Sequence, residues 1–174
     1  MNDHLPWRAA KVCFQNQRDF NYLEARHLCE DTEVNRNGIR IAGMHYRALI
    51  VEAEPPEKAK PALDVLEKAG RLIRWNEQMD DSELLGRIDR LVPADVRIQP
   101  ESPDVRVRHI LKNGADYYIV FNEGQDNLEF ELETSVKGKR ILLDPQISRH
   151  QILAPAAPLL LKPHELRVIM IAEK

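Results

Sequence analysis

Near residue 100 the spacing of apolar residues changes, and this change restricts the possible folds more than any other feature of the chain. Downstream, the stretch NLEFELE (127–133) alternates strictly, with Leu128, Phe130 and Leu132 on one face and Glu129, Glu131 and Glu133 on the other. A period of two belongs to a strand that buries one face and wets the other. The runs DVRVRHIL and DYYIVFN flank KNGA, which predicts a hairpin around Asn113 and Gly114. KGKRILLDP and HELRVIMI supply two further strands. Short runs at this spacing, divided by turn residues, predict a small antiparallel β-sandwich.

Residues 9 to about 98 follow a different order, strand alternating with helix. AAKVCF is a short apolar run and reads as a buried strand. DFNYLEARHLCED brings Phe20, Leu23, His27 and Leu28 near helical spacing, with Asp19 as its cap. Asn37-Gly38 marks a turn before a short extended piece, and YRALIVE is a strand. In PPEKAKPALDVLEKAG, Pro56 suits a first turn, and Ala59, Leu63, Leu66 and Ala69 form one face that ends at Gly70. Pro61 in this helix predicts a kink or a later start. RLIRW is a third strand, and DDSELLGRIDRLV a helix capped at Asp81 or Ser82 and stopped before Pro93. Strand–helix–strand order implies parallel pairing with right-handed crossovers. The predicted fold class is therefore α/β plus all-β: a small flavodoxin-like parallel layer over 1–98, then the antiparallel sandwich over 99–174. The break is expected in IQPESPD (98–104), which carries two prolines.

Composition excludes several function classes. At 174 residues with 43% apolar and 30% charged residues, the chain can bury a core without staples. Its net charge of −3 is scattered along the sequence, so no basic footprint for nucleic acid is present. The longest apolar run, ILAPAAPLLL, holds two prolines and is too short to span a bilayer. MNDHLPWRAAK lacks the apolar core of a signal peptide; a secreted parent would carry its signal upstream, so the compartment stays open. Cys13 and Cys29 lie among apolar or helical neighbours without CxxC spacing, and are expected to be buried, reduced thiols.

The candidate chemistry is sparse. DYYIVFNEG ends in Asn122-Glu123 and resembles the acid/base strand of many retaining glycosidases, and ALIVE ends in a second carboxylate, Glu52. A barrel glycosidase needs about 250 residues, Glu123 follows a hairpin outside any βα unit, and Glu52 comes first in the chain, the reverse of the required order. The expected reading is an exposed turn glutamate. A glutaminase-type nucleophile would need Cys13 on a tight glycine-bearing elbow, yet FQNQRDF follows it, so Cys13 is expected in the core and Cys29 on the buried side of its helix. No phosphate-binding glycine loop follows the first strand. The histidines at 4, 27, 45, 109, 150 and 164 are dispersed, and His27 and Cys29 lie about 200° apart on a helix. No metal or cofactor site is predicted. His109 shares a face with Val105, Val107 and Leu111, which predicts a satisfied, half-buried imidazole. Trp7, Trp75, Tyr117 and Tyr118 are the candidate sugar platforms; Tyr117 and Tyr118 point to opposite faces of their strand.

The order of these motifs resembles a known arrangement. DFNYLEARHL, NGIRIAGMHYRALIVE, the proline-rich helix and AGRLIRW are similar to the amidotransferase-like α/β module that follows the catalytic barrel in large bacterial glycoside hydrolases of the α-L-rhamnosidase-like, family 2-like and family 42-like types. VRVRHILKNGADYYIVFNEG, LLDP and LKPHELRVIMI resemble their closing β-sandwich, where a Tyr/Phe-rich strand ends in Asn and a later one in Asp-Pro. The resemblance implies an accessory, non-catalytic C-terminal region, serving structural packing, oligomerisation or support of a sugar cleft. No family catalytic residue has a matching position here. The implied partners are the catalytic domain of the same parent or a like subunit, with carbohydrate as a further one, and neither nucleic acid nor membrane. The competing expectation is a small stand-alone enzyme or binding protein with a site at the strand ends near Cys13 and Glu52.

Overall fold

The computed structural model of the chain describes residues 7–76, 78–144 and 149–172. The chain divides into two compact units, Met1–Cys13 with Phe20–Pro93, and Phe14–Asp19 with Ala94–Lys174.

The first unit opens with a helix, α1 (Arg8–Gln15), where the sequence suggested a strand. Ala9, Val12 and Cys13 are buried at positions i, i+3 and i+4, the stripe of a helix. A six-residue apolar run does not distinguish this from a buried strand. The next helix, α2 (Ala25–Glu30), is short and begins after Glu24, so Asp19 does not cap it. Leu28 is buried on α2, while Cys29, one position and about 100° further round, is exposed. Its predicted burial is thus corrected.

Residues 33–46 form an antiparallel sheet of β1 (Glu33–Asn35), β2 (Gly38–Ile41) and β3 (Met44–Tyr46). At Gly38, with φ of +130°, an added Cβ would stand 2.0 Å from the Tyr46 carbonyl oxygen, so the chain can pass here only as glycine. Next come β4 (Leu49–Val51), a 3₁₀ turn Glu57–Ala59, α3 (Lys60–Lys68) and β5 (Leu72–Arg74), and β4 pairs with β5 in parallel. Pro61 occupies the first turn of α3, the later start that its missing N–H favours. The last helix, α4 (Asp81–Leu91), is capped one residue earlier than expected: Asp80 Oδ1 accepts the Glu83 N–H at 2.7 Å. Among the described residues, parallel pairing in this unit is confined to β4 and β5. The flavodoxin-like layer foreseen from the sequence is not built, because its first strand is α1 and residues 33–46 pair antiparallel.

The second unit carries two antiparallel sheets. One contains β6 (Val96–Gln99), β9 (Leu128–Thr134) and β12 (Leu159–Leu161), in the order β12-β9-β6. The other contains β7 (Val105–Lys112), β8 (Ala115–Asn122), β10 (Lys139–Asp144), β11 (Arg149–Leu153) and β13 (Leu166–Ala172), in the order β11-β10-β13-β8-β7. Asn113 and Gly114 both take positive φ between β7 and β8, the turn that matches strand twist. Val105, Tyr118, Val120, Ile169 and Ile171 from the larger sheet meet Val96, Ile98, Phe130, Leu132, Leu159 and Leu161 from the smaller in one apolar cluster. Each such side chain contributes about 1.5–3 kcal/mol of burial. Because Val96 and Ile98 belong to this core, the sandwich begins before the prolines of 98–104.

Candidate functional site

The carboxyl ends of β4 and β5 carry Glu52 and Trp75, and the amino end of α1 lies beside them. Glu52 accepts the backbone N–H of Ala9, in the first turn of α1. A carboxylate there satisfies an otherwise orphaned helix donor and meets the positive end of the helix. Burial pushes the Glu52 carboxyl above its ordinary value, while the Ala9 N–H and the Arg8 charge pull it partly back. Arg8 is itself engaged: its Nε donates to Asp81 Oδ1 at 2.9 Å, its Nη2 to the Met79 carbonyl at 3.3 Å, and its guanidinium stands 4.9 Å from the Trp75 ring centre. Cys13 is four residues, roughly 6 Å along the helix axis, beyond the amide that holds Glu52. Only 4% of it is exposed, in a cluster with Ile73, Met79 and Leu84. A reactive thiolate needs an accessible, electropositive setting, and Cys13 has an apolar one. The two residues of the strand-end hypothesis thus serve a helix start and a core.

In the second unit, Asn122 is fully buried at the end of β8. Its side-chain amide donates to the carbonyls of Asp126 (2.8 Å), Lys162 (3.0 Å) and Leu161 (3.3 Å), and its Oδ1 accepts the Gly124 N–H at 2.9 Å. One side chain therefore ties the β8–β9 turn to the segment that joins β12 and β13. Glu123, exposed in that turn, pairs with Arg106, whose guanidinium lies 3.8 Å from the centre of the Phe14 ring. The Asn-Glu pair is a structural corner of the second unit.

His109 is the most elaborated ionisable group. Its Nδ1 lies 2.8 Å from Asp95 Oδ2 and its Nε2 2.7 Å from Asp116 Oδ1, and the ring stacks on Tyr118 at 4.3 Å and 9°. A carboxylate oxygen thus stands at hydrogen-bond distance from each ring nitrogen. Burial raises the Tyr118 phenol above its ordinary value, so it stays neutral. The satisfied imidazole was legible; its partners were not named. Asp116 could have been found, since His109 pairs with Tyr118 and Asp116 is the diagonal neighbour on the same face. Asp95 is brought in by β6 and leaves no local signal. Among the described residues, no group of three His, Cys, Asp or Glu side chains is arranged to hold a metal ion. No described helix is long and apolar enough to cross a membrane.

The aromatic candidates separate. Trp7 is exposed, Trp75 is half-buried under Arg8, and Tyr118 lies in the core. Tyr117 faces outward from the larger sheet, where it lines an open depression of about 430 Å³ with Ile110, Lys112, Asn113, Ile119 and Val168.

No family model and no curated protein matches this chain. Solved structures with a similar fold are known. A rhamnosidase from Novosphingobium sp. PP1Y superposes with a TM-score of 0.62 at 13% identity, over 91% of this chain and 20% of that one. The apo exo-carrageenase GH42 from Bacteroides ovatus superposes with a TM-score of 0.59 at 12% identity, over 96% of this chain and 26% of that one. The chain thus has the fold of a part of these glycoside hydrolases and spans about a fifth to a quarter of their length.

Proposed function

We propose that this chain is an accessory, non-catalytic region of a larger glycoside hydrolase, which packs against a catalytic domain or helps to build a subunit interface. The observation that carries this reading is the two-unit match: nearly the whole chain superposes on a minor share of two glycoside hydrolases. The polar clusters support it, because each is consumed internally. Glu52 and Arg8 hold the start of α1, Asn122 and Glu123 hold a corner, and His109 is saturated by two carboxylates. Support of a sugar cleft is part of the same reading, with Trp7 as the exposed aromatic. Two measurements test it. The purified chain should release no chromophore from a panel of aryl glycosides. An antibody against it should detect, in the source cells, a polypeptide several times longer than 174 residues. Turnover by the chain alone, abolished by Glu52→Gln, would sink the proposal.

A further inference from the structure

The two sheets of the second unit present unlike outer faces. On the smaller sheet, Glu129, Glu131 and Glu133 point outward from β9, and Arg97 and Gln99 are exposed on β6. This is the wetted face expected of an antiparallel sheet with one side on a core. On the larger sheet, the strand register sets Tyr117, Ile119 and Phe121 of β8 beside Val168 and Met170 of β13, then Ile141 and Leu143 of β10. Ile110 on β7 and Ile152 on β11 extend the stripe at either side, 38% and 61% exposed. The 430 Å³ depression opens on its β7–β8 side, near the hairpin turn.

We infer that this outer face is a docking surface for a folded protein body of the same parent polypeptide, one that offers an apolar patch with carboxylates at one end. The inference rests on the accessory reading above and names the surface through which it acts. Charge identifies the occupant. Lys112 and Lys139 stand at one end of the stripe, and no ion pair engages either among the described residues. At the other end Glu123 already offsets Arg106. An isologous contact with the strands of the two copies running alike would bring these lysines together, and one with the strands reversed would set them toward Arg106 and Arg108 on β7, so either arrangement disfavours a second copy. The stripe is largely aliphatic with Met and aromatic residues among it, the composition of a protein–protein interface centre rather than of a sugar platform. Five strands and seven residues give a face on the order of 24 Å by 24 Å, comparable with the roughly 800 Å² that each partner contributes to a standard interface. Isolated surface apolar residues need no explanation, but a contiguous patch of this kind does.

Hydroxyl-radical footprinting on two samples tests the inference: the purified 174-residue chain, and the native polypeptide captured from source cells with an antibody to it. Met170, Tyr117 and Ile152 should be labelled in the purified chain and protected several-fold in the native polypeptide, while carboxyl labelling of Glu129, Glu131 and Glu133 stays equal. Sedimentation of the purified chain should give a monomer. A long native polypeptide in which Met170 and Tyr117 remain fully labelled would overturn the docking surface and leave the accessory reading intact. A native polypeptide of only 174 residues would overturn both. A concentration-dependent dimer abolished by the paired substitution Ile119→Thr and Val168→Thr would make a second copy the occupant and reject the inference. Those two substitutions keep β-branched side chains, and an unchanged melting temperature separates lost docking from lost folding.

Discussion

The two units solve the burial problem differently. The second closes one apolar cluster between two sheets, to which strands from both halves of its sequence contribute. The first divides its apolar residues between two clusters, one around Leu84 and Ile73 under α1 and α4, the other around Leu66 and Ile39 under α3 and the antiparallel sheet. Its strands are three or four residues long, and its side chains are held by helices. A single shared core makes each large side chain answerable to the whole unit. Divided clusters confine the damage.

Paired core truncations give the largest expected effects and can break this comparison. Phe130→Ala should cost about 3–5 kcal/mol, with loss of hydrogen-exchange protection throughout β6 to β13. Leu66→Ala should cost about 2–5 kcal/mol, with protection lost in α3 and β2 but retained in α4. Equal loss in α4 would show that the two clusters act as one. Asn122→Ala comes next. It leaves the carbonyls of Asp126, Leu161 and Lys162 without their donor, at about 1–3 kcal/mol by denaturant titration. Asn122→Asp should be at least as damaging, since it turns an acceptor on three carbonyl oxygens. A corner that tolerated either change would not be what holds the second unit closed.

Glu52 sharpens the comparison from the other side. Its folded carboxyl titrates above the ordinary 4.5, so its contribution is greatest below that value and is lost as pH rises through the raised one. Glu52→Gln should therefore flatten the stability profile of the first unit just above pH 4.5, with a change under about 1 kcal/mol at neutral pH, the size of a helix-terminus charge. An unchanged slope would place the burial elsewhere. The smallest effect is expected at Cys29. Cys29→Ser should shift stability by less than about 0.5 kcal/mol, and a thiol reagent should modify Cys29 in the native chain but Cys13 only after unfolding.

The same contrast governs how far the fold could be read from the sequence. NLEFELE and the Asn113-Gly114 hairpin carry their structure locally, because a two-residue period and a positive-φ turn each admit one reading. β11 and β12 were not foreseen: RHQIL and LLL have neither a clear alternation nor a helix stripe. In the first unit AAKVCF matched two templates, and only tertiary packing selected the helix. The exposure of Cys29 follows once Leu28 is known to face inward, but not before. Of the polar cluster at His109, the imidazole's satisfaction and its Asp116 partner lie in the hairpin register, whereas Asp95 arrives from just before β6 and the sequence holds no trace of that meeting. The apolar outer stripe was also concealed, since DYYIVFN and LRVIMI are nearly continuous apolar runs and do not say which of their faces is covered.

The short excursion of Phe14–Asp19 into the second unit has an evolutionary and practical corollary. Gln17 donates from it to the Val105 carbonyl on the edge strand β7, at 3.0 Å, and Phe14 carries the Arg106 guanidinium. The sandwich is therefore encoded discontinuously. A single recombination junction at Pro93 would transplant it without the segment that meets the start of its β7 edge strand at Val105 and Arg106, exposing more of a border of the kind that nucleates sheet-to-sheet aggregation. Inheritance as one cassette spanning both units keeps those contacts, and a chimera that retains residues 14–19 beside 94–174 should stay dispersed where the shorter graft precipitates.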